Sequence, residues 1–145
     1  MYAAVTSRRG FAIIAVLAAA GMCVSAVSLY HHFGTSATSY CDFGDNFNCD
    51  VVNRSTYSTL LGIPVALIGM AGYAVILFLA TFRRLHVETP RILTVLSAIG
   101  LAFALYLTYV EKFVLATWCI LCLTSLTLIF CITMLALWQQ LARKY

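Results

Sequence analysis

Four long runs of apolar residues, separated by short polar segments, dominate the pattern of this chain. They cover about residues 11–30, 60–82, 92–110 and 114–138. Each is close to the ~20 residues that an α-helix needs to cross a hydrocarbon core about 30 Å thick. The pattern therefore predicts an all-α integral membrane protein, folded as a bundle of four transmembrane helices.

The composition supports this class. The chain of 145 residues is 63% hydrophobic and only 10% charged, which is outside the range of soluble globular domains. The net charge of +4 does not indicate nucleic-acid binding, because the basic residues flank the apolar runs instead of clustering on a solvated face. The first run is longer than the apolar region of a cleaved signal peptide, so we expect a retained helix and a single domain over residues 1–145.

The basic residues predict the orientation, because Lys and Arg near helix ends stay on the cytoplasmic side. Seven share one side of the membrane: Arg8, Arg9, Arg83, Arg84, Arg91, Arg143 and Lys144. Only Arg54 and Lys112 lie on the other side. We therefore expect cytoplasmic N and C termini, an outer loop at about residues 31–59, and a second, short outward turn at Glu111-Lys112.

Two cysteine pairs lie on the predicted outer side. Cys41 and Cys49 belong to the outer loop, whereas Cys119 and Cys122 form a CxxC at the outward end of the last run. A CxxC at a helix start places two sulfurs about one turn apart, and the helix N-terminus favours the thiolate that exchange requires. The two pairs together predict thiol–disulfide electron transfer.

Simpler interpretations remain open at this point. The CxxC cysteines could be small packing residues, and the loop pair could be a structural disulfide. Zinc is not expected, because Cys41 and Cys49 are too far apart in sequence for a usual ligand pair. Cys23 and Cys131 are lone thiols inside membrane runs and are interpreted as packing residues.

Several of these residues also form the pattern of a known family. The chain resembles the vitamin K epoxide reductase (VKOR) family of membrane thiol oxidoreductases over nearly its whole length. The likeness rests on Cys41, on the phrase Cys-Asp-Val-Val-Asn at 49–53, on the entry to the second helix from Tyr57 to Pro64, and on the CxxC at 119–122.

The resemblance implies a four-helix bundle around a quinone cofactor of the ubiquinone, menaquinone or phylloquinone type. Cys122 would lie next to the quinone ring, and Cys119 would exchange with Cys49. Cys41 would react with a thioredoxin-like protein of the periplasm or lumen. That partner is expected to be a separate protein, because the fused thioredoxin-like domain of many bacterial relatives is not found before the chain ends at Tyr145.

Four residues are expected to contact the quinone: Ser58, Thr59, Trp118 and Leu126. Ser58 and Thr59 are the nearest matches to the polar loop contacts of the family. The chain has Ser58 where the vertebrate enzymes have asparagine, and Leu126 where they have tyrosine. Epoxide reduction and anticoagulant sensitivity are therefore not carried over from the family, and the expected acceptor is a quinone, with vitamin K as one candidate.

The expected function is a quinone-linked membrane thiol–disulfide oxidoreductase that oxidises its partner. We expect it in a prokaryotic plasma membrane in preference to the endoplasmic reticulum, with its active site outward. A DsbB-type oxidase is one alternative, although its CxxC usually lies in the first outer loop. A second alternative is a non-enzymatic membrane scaffold whose outer loop is closed by a structural disulfide. No Lys, Asp or Glu occupies a predicted membrane run, which argues against a proton pump or ion channel.

Overall fold

The computed structural model describes residues 2–33, 59–83, 88–115 and 120–144. Within these ranges the chain forms four long helices, one short hairpin and one π-helical turn. The helices are α1 (Tyr2–Phe33), α2 (Val65–Phe82), α3 (Thr89–Val110) and α4 (Ile120–Lys144), and the strands are β1 (Thr59–Leu60) and β2 (Ile63–Pro64). All four helices are long and apolar enough to span a bilayer. The prediction of an all-α, four-helix membrane protein is thereby confirmed.

The helices pack as a ring in which α1 lies between α2 and α4. The α1–α2 contact is the most extensive, followed by α3–α4 and α1–α4, and α2 meets α3 over a smaller area. In this order α2 and α4 are diagonal to each other. We call the end with the hairpin and the start of α4 the loop end, and the end with both chain termini the terminal end.

The apolar core lies mainly in the half of the bundle nearest the terminal end. It is formed by Phe11, Ile14 and Ala18 of α1, Tyr73, Ile76 and Ala80 of α2, Leu93 of α3, and Ile129, Ile132 and Ala136 of α4. These positions recur every three or four residues, which places them on one face of each helix. Lipid is as apolar as these side chains, so close packing, more than the removal of apolar surface from water, holds such helices together.

The entry to α2 differs from the sequence prediction. Residues 60–64, predicted as the start of the second helix, instead belong to an antiparallel hairpin, and the helix begins at Val65. Leu61 and Gly62 have φ angles of +55° and +81°, the two positive values of a type I′ turn. Such turns usually carry Asn-Gly or Asp-Gly, so the Leu-Gly pair did not indicate a hairpin.

The connection between α3 and α4 also differs. The predicted outward turn at Glu111-Lys112 is wrong, because α3 continues directly into the π-helical turn Glu111–Leu115 and the apolar span extends to Val114. The predicted α-helical start at Val114 is wrong for the same reason. Glu111 is only 1% exposed, so a buried carboxylate lies inside a membrane span where the sequence pattern predicted none. Lys112 is exposed and lies 5.2 Å from the centre of the Phe113 ring.

Candidate functional site

Three of the predicted site residues lie in the part of the chain that the structure describes: Thr59, Cys122 and Leu126. The other five, Cys41, Cys49, Ser58, Trp118 and Cys119, lie outside the described residues. The same holds for most of the predicted outer loop. The pairing of the cysteines therefore remains a prediction, whereas the surroundings of Cys122 can be described.

Cys122 is the third of the described residues of α4, and its side chain is half-buried. The four residues before Ile120 lie outside the described ranges. A half-buried position leaves the sulfur reachable from its surroundings.

Leu126 and Thr59 lie at the same end of the bundle as Cys122. Leu126 follows Cys122 by four residues, which places it on the same face one turn deeper, and it is half-buried. Thr59 is half-buried in β1 and pairs with Pro64, the residue that caps α2. The structure thus brings a thiol, an aliphatic side chain and a hydroxyl to the loop end.

One contact in this region was missed by the sequence analysis. Tyr73, near the middle of α2, donates a hydrogen bond of 3.0 Å to the backbone oxygen of Ser125, and its hydroxyl lies 2.9 Å from the Ser125 Oγ. Ser125 is only one turn beyond Cys122 on α4. A tyrosine and a serine inside apolar runs are signals that could have been used, because buried hydroxyls need hydrogen-bond partners.

The Tyr73 ring reaches α4 by passing directly against α1. Tyr73 is 5% exposed, and a Cβ atom added at Gly21 would lie 2.3 Å from the ring. Real Cβ atoms essentially never make so short a contact. The Tyr73 ring can therefore pass α1 at this point because Gly21 has no side chain. Three of the four helices therefore meet at this contact.

An apolar groove is present on α4 near the terminal end. It is lined by Met134, Leu135, Leu137, Trp138, Leu141 and Ala142. All six residues belong to one helix, and Met134 is about 18 Å along the axis from Cys122 at ~1.5 Å per residue. The groove is therefore not part of the site at the loop end.

Comparison with known protein families tests the resemblance inferred from the sequence. The sequence model of the Vitamin K epoxide reductase family matches residues 12–137. This region includes the hairpin, α2, α3, most of α1 and α4, and Cys122. The match covers well over half of the chain and agrees with four helices that can span a membrane. The chain belongs to the vitamin K epoxide reductase family, and is an integral membrane protein of the disulfide oxidoreductase class that this family represents.

Proposed function

We propose that the protein oxidises a thioredoxin-like partner and reduces a membrane quinone, with vitamin K as one candidate acceptor. Family membership supports the general reaction class. The observation that carries the finer proposal is the position of Cys122, which is half-buried on a helix long and apolar enough to span a membrane. A lipid-soluble acceptor can reach a thiol at that depth, whereas a folded protein substrate cannot.

Four cysteines would form the relay. The partner's dithiol reduces a Cys41–Cys49 disulfide by exchange, and the Cys49 thiolate then attacks Cys119 of a Cys119–Cys122 disulfide. This step forms a Cys49–Cys119 bond and releases Cys122 as a thiolate. Attack of Cys41 on Cys49 restores the loop disulfide and leaves the CxxC pair reduced.

The CxxC pair is then reoxidised at the expense of the quinone. Cys119 and Cys122 re-form their disulfide, and two electrons and two protons pass to the acceptor, which becomes the quinol. In sum, a dithiol and a quinone yield a disulfide and a quinol. No other oxidant is required, and the loop pair returns to its starting state in each cycle.

The remaining predicted site residues would shape the quinone pocket. Leu126 would form an apolar wall one turn below Cys122, and Trp118 would lie beside the CxxC. The hydroxyls of Ser58 and Thr59 would donate to a ring oxygen as it gains charge. A well-placed donor contributes up to about 3 kcal/mol in pre-organised oxyanion sites, and a single flexible hydroxyl contributes less.

The proposed orientation places both termini in the cytoplasm and the site outside, in a prokaryotic plasma membrane. Its support is the distribution of charge. Arg8, Arg9, Arg83 and Arg91 are all exposed at the terminal end, whereas Lys112 is the exposed base at the described part of the loop end. Impermeant thiol labelling of single-cysteine variants tests this, since a label at residue 45 and a label at residue 145 should react from opposite sides.

The reaction is tested with purified full-length protein, a menaquinone analogue and a reduced thioredoxin-like donor. Quinone reduction is expected for the native chain and is expected to be lost in Cys122→Ser. Cys131→Ser is the matched control, because Cys131 is also half-buried on α4 but lies about 13 Å further along the helix. Full activity of Cys122→Ser would contradict the proposal, and absence of turnover with every quinone tried would favour a structural role.

Trapping of the intermediate tests the order of the relay. In Cys122→Ser, Cys119 can attack the loop disulfide at Cys49, and no Cys122 thiol is present to reopen the Cys49–Cys119 bond from the helix side, so this bond should accumulate and be found by peptide mapping. If only a Cys41–Cys49 bond were present, the loop pair would be a structural disulfide.

A further inference from the structure

The contact between Tyr73 and Ser125 lies directly behind the reactive end of α4. We propose that Tyr73 is a positioning residue for Cys122: its hydrogen bonding to Ser125 holds the first turns of α4 in place across the bundle. The effect on turnover rests on the proposed function, whereas the effect on the Cys122 thiol does not.

The first argument is the position of the contact. Ser125 follows Cys122 by three residues, so the two lie on neighbouring positions of one helix face, about 4.5 Å apart along the axis. Tyr73 belongs to α2, which is diagonal to α4 in the ring of helices. A side chain that crosses the bundle limits movements of α4 that its immediate neighbours alone would permit.

The second argument is the lack of other buried anchors in this part of α4. Residues 120–128 are all half-buried or exposed, and the first fully buried residue is Ile129. Tyr73 itself is buried, and its ring is held against Gly21 of α1. The hydroxyl therefore joins a weakly buried helix start to a well-packed part of the bundle.

The third argument comes from counting protons. The Tyr73 hydroxyl has one proton and donates it to the Ser125 carbonyl at 3.0 Å. The Ser125 hydroxyl also has one proton, and its oxygen lies 2.9 Å from the Tyr73 oxygen, so it can donate back. Both protons are then used within the pair. This arrangement fits a link between helices better than a donor site for a bound ligand.

Six other hydroxyls of α3 and α4 behave differently. Those of Thr94, Ser97, Thr108, Thr124, Thr127 and Thr133 bond to carbonyl oxygens of their own helix. Such bonds satisfy the hydroxyl but do not join one helix to another. The Tyr73–Ser125 contact is distinguished from them by its separation of 52 residues in sequence.

The test compares alkylation rates of individual thiols in the reduced, full-length protein. Tyr73→Phe removes the hydroxyl and keeps the ring, so packing against Gly21 is retained. N-ethylmaleimide labelling is followed by mass spectrometry at Cys122, Cys131 and Cys23. We expect the Cys122 rate to change about fivefold, the effect of losing one ordinary hydrogen bond, while the other two rates stay the same.

The other two cysteines act as internal controls. Cys131 is half-buried on the same helix, and Cys23 is exposed on α1. A general loosening of the bundle would raise all three rates together and would overturn the proposal. An unchanged Cys122 rate would overturn it as well. Tyr106→Phe is the matched control variant, because Tyr106 is 53% exposed on α3 and its hydroxyl should not influence Cys122.

A second variant keeps the test valid if Tyr73→Phe does not fold. Ser125→Ala removes the hydroxyl but leaves the backbone oxygen available, so it should change the Cys122 rate in the same direction by a smaller factor. An effect of Ser125→Ala equal at all three thiols, or absent, would count against the proposal.

Turnover separates this inference from the proposed function. In an active protein, Tyr73→Phe should lower kcat for the quinone reaction while the KM for the protein donor stays the same. The alkylation result needs neither quinone nor partner. An inactive native protein in which Tyr73→Phe changes only Cys122 would therefore refute the proposed function and support the positioning role.

Discussion

The two halves of the bundle are packed to different degrees. In the terminal half, Ile14, Leu93 and Ile132 have no exposed surface and belong to one continuous cluster. In the loop half, residues 120–128 of α4 include no fully buried side chain, and the buried residues of α1 there are Ser25 and Ser28. Among the described residues, the half that contains Cys122 thus has fewer buried apolar side chains.

This difference suggests a division of labour. Close packing between membrane helices supplies their association, so the terminal half is expected to set the stability of the bundle. Regions that bind ligands are commonly drawn from the less stable parts of a structure. Substitutions in the terminal half should lower stability with little effect on chemistry, and substitutions in the loop half should do the reverse.

The largest effect is expected at the cysteines of the proposed relay. Cys122→Ser should lose quinone reduction with both a protein donor and dithiothreitol, because every electron passes through this sulfur in the proposed relay. Cys41→Ser should lose chiefly the reaction with the protein donor, since a small thiol can reach the CxxC pair directly. The measurement is a paired assay with the two donors. Equal losses with both donors in both variants would show that the cysteines have no such division.

The next largest effect is expected in the terminal half. Ile132→Ala should lower the free energy of unfolding by about 2 kcal/mol, the lower end of the range for buried Ile→Ala changes, because lipid already solvates apolar surface and mainly the cavity cost remains. The free energy of unfolding is measured by titrating the purified protein with a denaturing detergent. Phe130→Ala is the control, since Phe130 is 51% exposed and two residues away. A loss of activity in Ile132→Ala with an unchanged free energy of unfolding would contradict the comparison of the two halves.

A smaller effect is expected at the hydroxyls beside the hairpin. Ser58→Ala and Thr59→Ala should each raise the KM for quinone or lower turnover several-fold, within the ~3 kcal/mol limit of a single donor. Exchange with the thioredoxin-like partner should be unchanged, because that step does not involve the ring. If both variants reduced quinone normally while Trp118 or Leu126 substitutions did not, the ring would lie against α4 alone.

The smallest effect is expected at the turn of the hairpin. Leu61→Asn should raise stability by about 1 kcal/mol, because Asn adopts a positive φ at a lower cost than Leu. The rise in thermal midpoint measures this. Ile63→Asn is the control: Ile63 is also exposed but lies in a strand, so no gain is expected there. A gain at both positions would mean that polarity, and not the φ angle, is responsible.

The four spans and the family could be recognised from the sequence because both depend on strong local signals. Runs of about 20 apolar residues are enough to predict membrane helices. The CxxC at 119–122 and the Cys-Asp-Val-Val-Asn phrase at 49–53 are together specific enough to indicate the family. Neither inference requires knowledge of which helices are in contact.

Other features depend on details that sequence patterns do not carry. The hairpin was missed because Leu61 occupies a turn position that usually holds Asn or Asp. Glu111 was missed because a Glu-Lys pair between apolar runs is typical of a hydrated turn, whereas here the carboxylate is buried. The link from Tyr73 to Ser125 joins helices that are diagonal in the ring, and helix order around a ring is not encoded in hydropathy.

The π-helical turn Glu111–Leu115 has a consequence for how this chain can tolerate changes in length. A π-helical turn holds one residue more than an α-helical turn, and one residue corresponds to a rotation of about 100°. Deleting a single residue here would return the turn to α geometry without moving Leu93 or Ser97 from their places in α3. The ~100° rotation that a one-residue deletion causes in a plain α-helix is avoided, because the residue lost is the extra one of the wider turn. A change of one residue in an evolving lineage can therefore be absorbed here while the third span keeps its register.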